Sequence, residues 1–73
     1  MKIEIYSKPS CTYCINTKMF LQSKELEYTE YTIGKDLTRN EFLEKFPNVR
    51  SVPQVLIDGV LIGGYEQVKQ YFA

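Results

Sequence analysis

The two cysteines of this chain, Cys11 and Cys14, most limit how it can be stabilised, because only two residues separate them. A disulfide between them would close a very short loop and remove little entropy from the unfolded chain. Chains as short as these 73 residues bury only about 60% of their unfolded surface and often depend on a long-range crosslink. Stability must therefore come from packing. The 44% of hydrophobic residues is enough for one thin core, which predicts a single domain over residues 1–73.

Charge and hydropathy exclude several classes of protein. Nine basic residues balance nine acidic ones, so we expect no nucleic-acid partner. The longest apolar runs fall far short of the roughly 18 residues that span a bilayer, and no apolar leader follows Met1. A lone cysteine pair in such a chain is typical of redox chemistry or metal binding rather than of a secreted disulfide scaffold. We therefore expect a cytoplasmic monomer without a membrane segment.

Hydrophobic periodicity predicts an α/β chain with the element order β-α-β-α-β-β-α. The predicted strands are 2–6, 27–33, 54–57 and 60–62, and the predicted helices are 12–24, 39–46 and 65–72. Asp58-Gly59 is a two-residue turn that joins the last two strands as a hairpin, and the first crossover should make strands one and two parallel. The expected result is a mixed four-stranded sheet with helices on both of its faces.

Two of the helices carry further local signals. Thr38 and Glu41 have the spacing of a capping box at the start of the second helix. In the first helix, three-to-four spacing predicts one packed face, while Lys18 and Gln22 are predicted to face water. The residues of that packed face are Thr17, Phe20, Leu21 and Lys24.

The segment Cys11-Thr12-Tyr13-Cys14 lies where the first strand passes into the first helix, which places Cys11 at the N-cap. Backbone N–H groups in the first turn lack intrahelical partners, so a Cys11 thiolate can accept them. The helix dipole and the nearby charge of Lys8 add attraction, and we expect the pKa of the Cys11 thiol to be depressed. Cys14, one turn inward, should be more buried and suits a resolving thiol. The chain has no histidine, which excludes a Cys–His base.

The spacing of the cysteines is compatible with more than one use. Two positions one helical turn apart can form a disulfide, which makes reversible oxidation the natural chemistry. Half of a tetrahedral zinc site is a second interpretation, but zinc needs two further ligands and the chain has no other cysteine and no histidine. Inert packing of two small hydrophobic side chains is a third interpretation. We favour the redox interpretation and expect no metal site.

Four segments carry a resemblance to a known family. They are residues 5–14 (IYSKPSCTYC), 51–55 (SVPQV), 57–59 (IDG) and 62–66 (IGGYE). In this order and separation they resemble the glutaredoxins, the small glutathione-linked branch of the thioredoxin-like fold, and the chain is similar in length to the short bacterial and phage forms. The resemblance implies a three-layer thioredoxin-like fold, with Cys11 as the nucleophile, Cys14 as the resolving residue and a cis proline at Pro53.

The resemblance also implies a glutathione-binding site. The γ-glutamyl carboxylate would dock on Gly63-Gly64, where bare backbone opens the last helix. Glu66 would meet the ammonium group of glutathione, and Lys8 with Arg50 would attract its glycine carboxylate. The backbone of Val52 would pair with the cysteine of glutathione. The expected binding residues are Lys8, Tyr13, Arg50, Ser51, Val52, Pro53, Gly64, Tyr65 and Glu66.

Three positions depart from the family pattern. Thr12 stands in place of the common proline between the cysteines, and Ser51 stands in place of the usual threonine. Gln67 stands where many members have an acid. Glu66 is therefore the main candidate for contact with the ammonium group of the ligand.

The resemblance implies a glutathione-linked thiol–disulfide oxidoreductase that reduces protein disulfides or glutathione mixed disulfides through Cys11 and Cys14. Glutathione is the expected co-substrate, and ribonucleotide reductase is a candidate among the protein substrates. Two alternatives stay open. One is a thioredoxin-like electron carrier that is reduced by a flavoprotein. The other is a binding module in which Cys11 and glutathione from two chains hold an iron–sulfur cluster.

Overall fold

The computed structural model describes residues 1–73 and contains the predicted elements in the predicted order. The strands are β1 (Ile3–Ser7), β2 (Thr29–Thr32), β3 (Gln54–Ile57) and β4 (Val60–Gly63), and the helices are α1 (Thr12–Ser23), α2 (Arg39–Lys45) and α3 (Tyr65–Tyr71). None of the three helices is long and apolar enough to cross a membrane.

The strands form one mixed sheet in the order β2-β1-β3-β4. β1 pairs with β2 in parallel, whereas β1 with β3 and β3 with β4 are antiparallel, which confirms the expected topology. The turn between β3 and β4 has positive φ at both central residues, 51° at Asp58 and 82° at Gly59, as a primed hairpin turn requires. Because β2 lies on one side of β1 and β3 on the other, β1 is an inner strand of the sheet, and its carboxyl end leads to the cysteine segment.

The second strand is shorter than its sequence suggests. Residues 27–33 were expected in it, but parallel pairing with β1 begins at Glu4–Thr29 and ends at Ser7–Thr32. Ile33 instead forms an isolated bridge with Leu37. The register with β1, which no local pattern encodes, sets the length of β2.

The main core lies on one face of the sheet, under α1 and α3. Alternate residues of β1 and β3 point into it and meet one apolar side chain from each helix, in a cluster of Ile3, Ile5, Leu21, Val55, Ile57 and Val68. Burying an aliphatic side chain of this size contributes about 1.5–3 kcal/mol. This cluster fixes α1 on the sheet, and with it the position of the cysteines at its first turn.

The packed face of α1 differs from the prediction at its last residue. Thr17 and Leu21 are buried as expected, and Cys14 lies on the same face. Lys24 was expected there but is exposed, because α1 ends at Ser23, Lys24 is its C-cap and Glu25 turns the chain away with a φ of 58°. The Lys24 ammonium lies over the Phe20 ring, 5.6 Å from its centroid.

The opposite face of the sheet is covered by α2. The Tyr6 ring packs against Tyr31, Phe42 and Phe46, with ring centroids 5.0, 5.7 and 5.2 Å away. The capping box at the start of α2 is confirmed, since the Glu41 amide donates to Thr38 Oγ1 at 3.1 Å and the Thr38 amide donates to Glu41 Oε1 at 2.8 Å. The sheet therefore has helices on both faces, as the sequence predicts.

A polar cluster joins β1, β2 and α1 on the core side of the sheet. The buried Ser7 hydroxyl donates to Glu30 Oε2 at 2.6 Å, and the Lys18 ammonium donates to the same oxygen at 2.9 Å. The prediction that Lys18 faces water is therefore wrong. The two donors, Ser7 first and Lys18 second, hold the pKa of the Glu30 carboxyl below its ordinary value.

We predict that Glu30→Gln lowers the free energy of unfolding at pH 7 by about 1 kcal/mol, since hydrogen bonds to a charged group are partly screened at this exposure. Because the pKa of Glu30 is lower in the folded state, its contribution is present above the unfolded pKa and is lost as pH falls through the folded pKa. Urea unfolding at pH 7 and at pH 3 tests this, with the exposed Glu27→Gln as control. An equal loss at both pH values would contradict it.

Candidate active site

Cys11 occupies the N-cap of α1, as the sequence predicts. Its backbone is extended, with φ −105° and ψ 110°, and its sulfur accepts a hydrogen bond from the Cys14 amide at 3.2 Å. Ser10, just before it, adopts a φ of 59° and turns the chain from the loop after β1 into the helix. The sulfur therefore replaces the oxygen of an ordinary N-cap side chain and lies at the positive end of the helix dipole.

The two cysteines form a disulfide, with Cα atoms 5.2 Å apart. That separation falls within the normal range for such a bond, as expected for two positions in one helical turn. Cys14 is 1% exposed and Cys11 is 8% exposed, while the intervening Tyr13 is 61% exposed. Cys11 is therefore the more exposed of the two buried cysteines.

The loop before β3 runs directly beside this sulfur. The Val52–Pro53 peptide bond is cis, which confirms the isomer that the resemblance implied. The Val52 carbonyl oxygen lies 4.0 Å from Cys11 Sγ. On its other side the loop meets the start of α3, where a Cβ added to Gly64 would be 3.4 Å from the Pro53 carbonyl oxygen. This loop is therefore the centre around which the other candidate residues are arranged.

A groove of about 580 Å³ lies on one side of the loop, between it and α2. It is lined by Lys8, Arg39, Phe42, Leu43, Pro47, Val49, Arg50, Ser51 and Val52. Four of the residues expected to bind glutathione meet there. Three of its lining residues are cationic and none is acidic, so the groove suits a ligand with negative charge.

Arg39 is a residue of this groove that the sequence analysis did not identify. It was considered only as the first residue of the second helix. Parallel strands β1 and β2 end at the same edge of the sheet, so the loop after β1 and the helix after β2 both begin there. This topology, rather than a motif, is the signal that could have placed Arg39 beside Lys8.

The start of α3 lies on the other side of the loop and carries the remaining candidates. The Tyr65 ring lies 6.3 Å from the Tyr13 ring, centroid to centroid. The Glu66 carboxylate lies 3.8 Å from the Lys69 ammonium, which also lies over the Tyr65 ring. Lys69 was not identified from the sequence, although the i,i+3 spacing from Glu66 is a signal for such a pair.

Gln67 has a local function that the sequence analysis missed. Its side-chain oxygen accepts the Gly64 amide at 3.0 Å and so caps the first turn of α3. The anion site expected at Gly63-Gly64 would need that amide to be free for a ligand. One of its backbone donors is therefore already occupied by a side chain of the protein.

Comparison with known proteins assigns the family. The glutaredoxin family model matches residues 3–62, which contain both cysteines and the cis proline. The chain belongs to the glutaredoxin family. It is accordingly a thiol oxidoreductase of that family, with its Cys-x-x-Cys pair at positions 11 and 14.

Individual glutaredoxins are similar to this protein in sequence or structure over nearly its whole chain. Glutaredoxin 3 of Escherichia coli K12 is 35% identical over 66 residues, which are 90% of this chain and 80% of that protein. The crystal structure of glutaredoxin 1 from Francisella tularensis with cacodylate superposes with a TM-score of 0.86 at 26% identity, covering 97% of this chain and 91% of that one. A buckwheat glutaredoxin crystallised with glutathione gives a TM-score of 0.80 at 26% identity, over 96% and 66% of the two chains.

Proposed function

We propose that this glutaredoxin is a glutathione-linked thiol–disulfide oxidoreductase of the cytoplasm in which Cys11 is the attacking sulfur. The observation that carries the proposal is the 3.2 Å contact from the Cys14 amide to Cys11 Sγ at the N-cap of α1. In the reduced protein the same amide and the helix dipole stabilise a thiolate more than a thiol. The thiolate is the nucleophilic form, so this geometry supplies the reactivity that disulfide exchange needs.

The first half of the reaction reduces the substrate. The Cys11 thiolate attacks one sulfur of the substrate disulfide, a bond forms between them, and the other substrate sulfur leaves as a thiolate that takes a proton from water. The Cys14 sulfur, as a thiolate, then attacks Cys11 Sγ and releases the second substrate thiolate. Two electrons pass to the substrate, and the protein is left with the Cys11–Cys14 disulfide.

The second half restores the dithiol. A glutathione thiolate attacks Cys11 Sγ, forms a mixed disulfide and releases the Cys14 thiolate. A second glutathione thiolate attacks the glutathione sulfur of that mixed disulfide, which forms glutathione disulfide and frees Cys11. Glutathionylated proteins enter at the same mixed disulfide, because Cys11 attacks their glutathione sulfur and releases the protein thiol.

Two sides of the loop that holds Pro53 would hold glutathione. On the groove side, Lys8 and Arg50 would bind the glycine carboxylate, while the backbone of Ser51 and Val52 would pair with the ligand. Tyr13 would cover the reacting sulfur from its exposed position. The 4.0 Å distance from Cys11 Sγ to the carbonyl oxygen of Val52, a residue of the groove, supports this assignment, as does the buckwheat glutaredoxin that was crystallised with glutathione.

The γ-glutamyl end of glutathione would lie at the start of α3. The amides of Tyr65 and Glu66 have no intrahelical acceptor and would donate to its carboxylate. The Gly64 amide would contribute only if the Gln67 side chain moved away. The Glu66 carboxylate would bind the ammonium group in exchange for its contact with Lys69.

Two contacts at the start of α3 favour a second candidate, a thioredoxin-like carrier reduced by a flavoprotein. Gln67 already caps the Gly64 amide, and Glu66 already faces Lys69. Both contacts compete with recognition of the γ-glutamyl group. A carrier that receives its electrons from a flavoprotein would need neither of these groups for glutathione.

The choice of reductant is the test of the proposal. We predict that glutathione reduces the oxidised protein, so that glutathione reductase then oxidises NADPH as it regenerates the glutathione. Lys8→Gln and Arg50→Gln should each raise KM for a glutathione mixed disulfide by about threefold, because each removes about one exposed ion pair. Lys24→Gln, at the opposite end of α1, serves as the control and should leave KM unchanged. Reduction by thioredoxin reductase alone would contradict the proposal and support the second candidate.

The roles of the two cysteines give a separate prediction. Cys11→Ser should abolish activity on every disulfide, because serine lacks the nucleophilic sulfur. Cys14→Ser should lose the reduction of protein disulfides but keep turnover of glutathione mixed disulfides, which needs only Cys11. The opposite pattern, with activity kept in Cys11→Ser and lost in Cys14→Ser, would reverse the assigned roles.

Mixed disulfides trapped by Cys14→Ser in a lysate and identified by mass would show whether ribonucleotide reductase is a substrate.

A further inference from the structure

We propose that the groove beside Cys11 docks an acidic peptide segment of the disulfide-bearing protein substrate, and that Arg39 sets this charge preference. The proposal rests on the proposed function in one respect, namely that Cys11 is the attacking sulfur. It adds the chemical class of the substrate, a disulfide whose neighbouring residues are aspartate or glutamate. It also gives a function to a residue that no glutathione contact requires.

The charges of the groove are the first support. Lys8, Arg39 and Arg50 all line it, all three are exposed, and no acidic residue lines it. The ion pairs of the chain involve Lys18 and Lys69 instead. Because nine basic and nine acidic residues balance over the whole chain, three cations without an acid are a local excess. A negative ligand is the natural complement of that excess.

The number of cations is the second support. The glycine carboxylate of glutathione carries one negative charge, and Lys8 with Arg50 suffices for it. Arg39 comes from a different segment, the first position of α2, and its guanidinium can bind a further carboxylate in a bidentate manner. The groove therefore has the cationic groups for a ligand with more than one carboxylate.

The shape of the groove identifies that ligand as a peptide. Phe42, Leu43 and Val49 give it apolar surface against which the stems of glutamate side chains can pack. Its volume of about 580 Å³ exceeds what a single carboxylate fills. Val52 lines the groove and its carbonyl oxygen lies 4.0 Å from Cys11 Sγ, so a segment in the groove can present a neighbouring disulfide to that sulfur. An acidic chain segment next to a cystine meets all three conditions.

The test uses two synthetic peptides that share one intramolecular disulfide and differ only in two flanking residues, glutamate in one and glutamine in the other. The reduced protein is mixed with each peptide in a single turnover at low salt, without glutathione. We expect the glutamate peptide to react roughly tenfold faster, about threefold for each exposed ion pair, and the difference to disappear in high salt. Arg39→Gln should lower the rate for the glutamate peptide about threefold and leave the glutamine peptide unchanged.

Matched variants separate this effect from a general change in charge. Lys45 is an exposed cation at the other end of α2 and does not line the groove. Lys45→Gln should therefore leave both rates unchanged. Arg39→Lys keeps the charge and should retain most of the preference. An equal loss in Lys45→Gln and Arg39→Gln would overturn the assignment of Arg39.

The remaining outcomes distinguish this proposal from the proposed function. Equal rates for the two peptides in the unaltered protein would overturn acidic docking and leave Cys11 as the nucleophile. Inhibition by inorganic phosphate without a preference between the peptides would assign the groove to a free anion and also overturn it. Failure to reduce either peptide would overturn both proposals. Since glutathione is absent, a flavoprotein as the natural reductant would not alter the expected preference.

Discussion

The hydrogen bond from the Cys14 amide to the Cys11 sulfur, 3.2 Å long, is the contact on which the proposed chemistry of this small protein depends. It exists because Cys11 is the N-cap of α1, and α1 is held in place by Leu21 in the core beneath it. The positive end of the helix is thereby fixed at the edge of the sheet where β1 ends. Packing of the core, the main source of stability in so short a chain, also orients the donor that contacts the sulfur.

The loop with the cis peptide bond divides the surface around that sulfur into two unlike halves. One half is a groove with cationic side chains and an apolar floor, and the other is the start of α3. The groove is open and has three cations that contact no carboxylate of the chain. At the start of α3, Gln67 and Lys69 already contact groups that a ligand would use. The two halves should therefore contribute unequally to binding, with the groove giving most of the affinity.

Local sequence signals predicted most of the fold, whereas contacts between distant segments were beyond them. The element order, the capping box at Thr38 and the N-cap at Cys11 depend on neighbouring residues, and all are confirmed. Lys18 contacts a carboxylate on β2, and the position of Arg39 follows from sheet topology, so helical periodicity could predict neither. The cis isomer came from family resemblance, because nothing in the local sequence specifies it.

The most direct test of the account is the pH dependence of Cys11 alkylation in the reduced Cys14→Ser variant. That substitution removes the second thiol but keeps the backbone amide that donates to the sulfur. We expect the rate of reaction with iodoacetamide to reach half its maximum well below the pH at which a free cysteine ionises, since the helix terminus favours the thiolate. A Cys11 pKa equal to that of cysteine in an unfolded peptide would contradict the account.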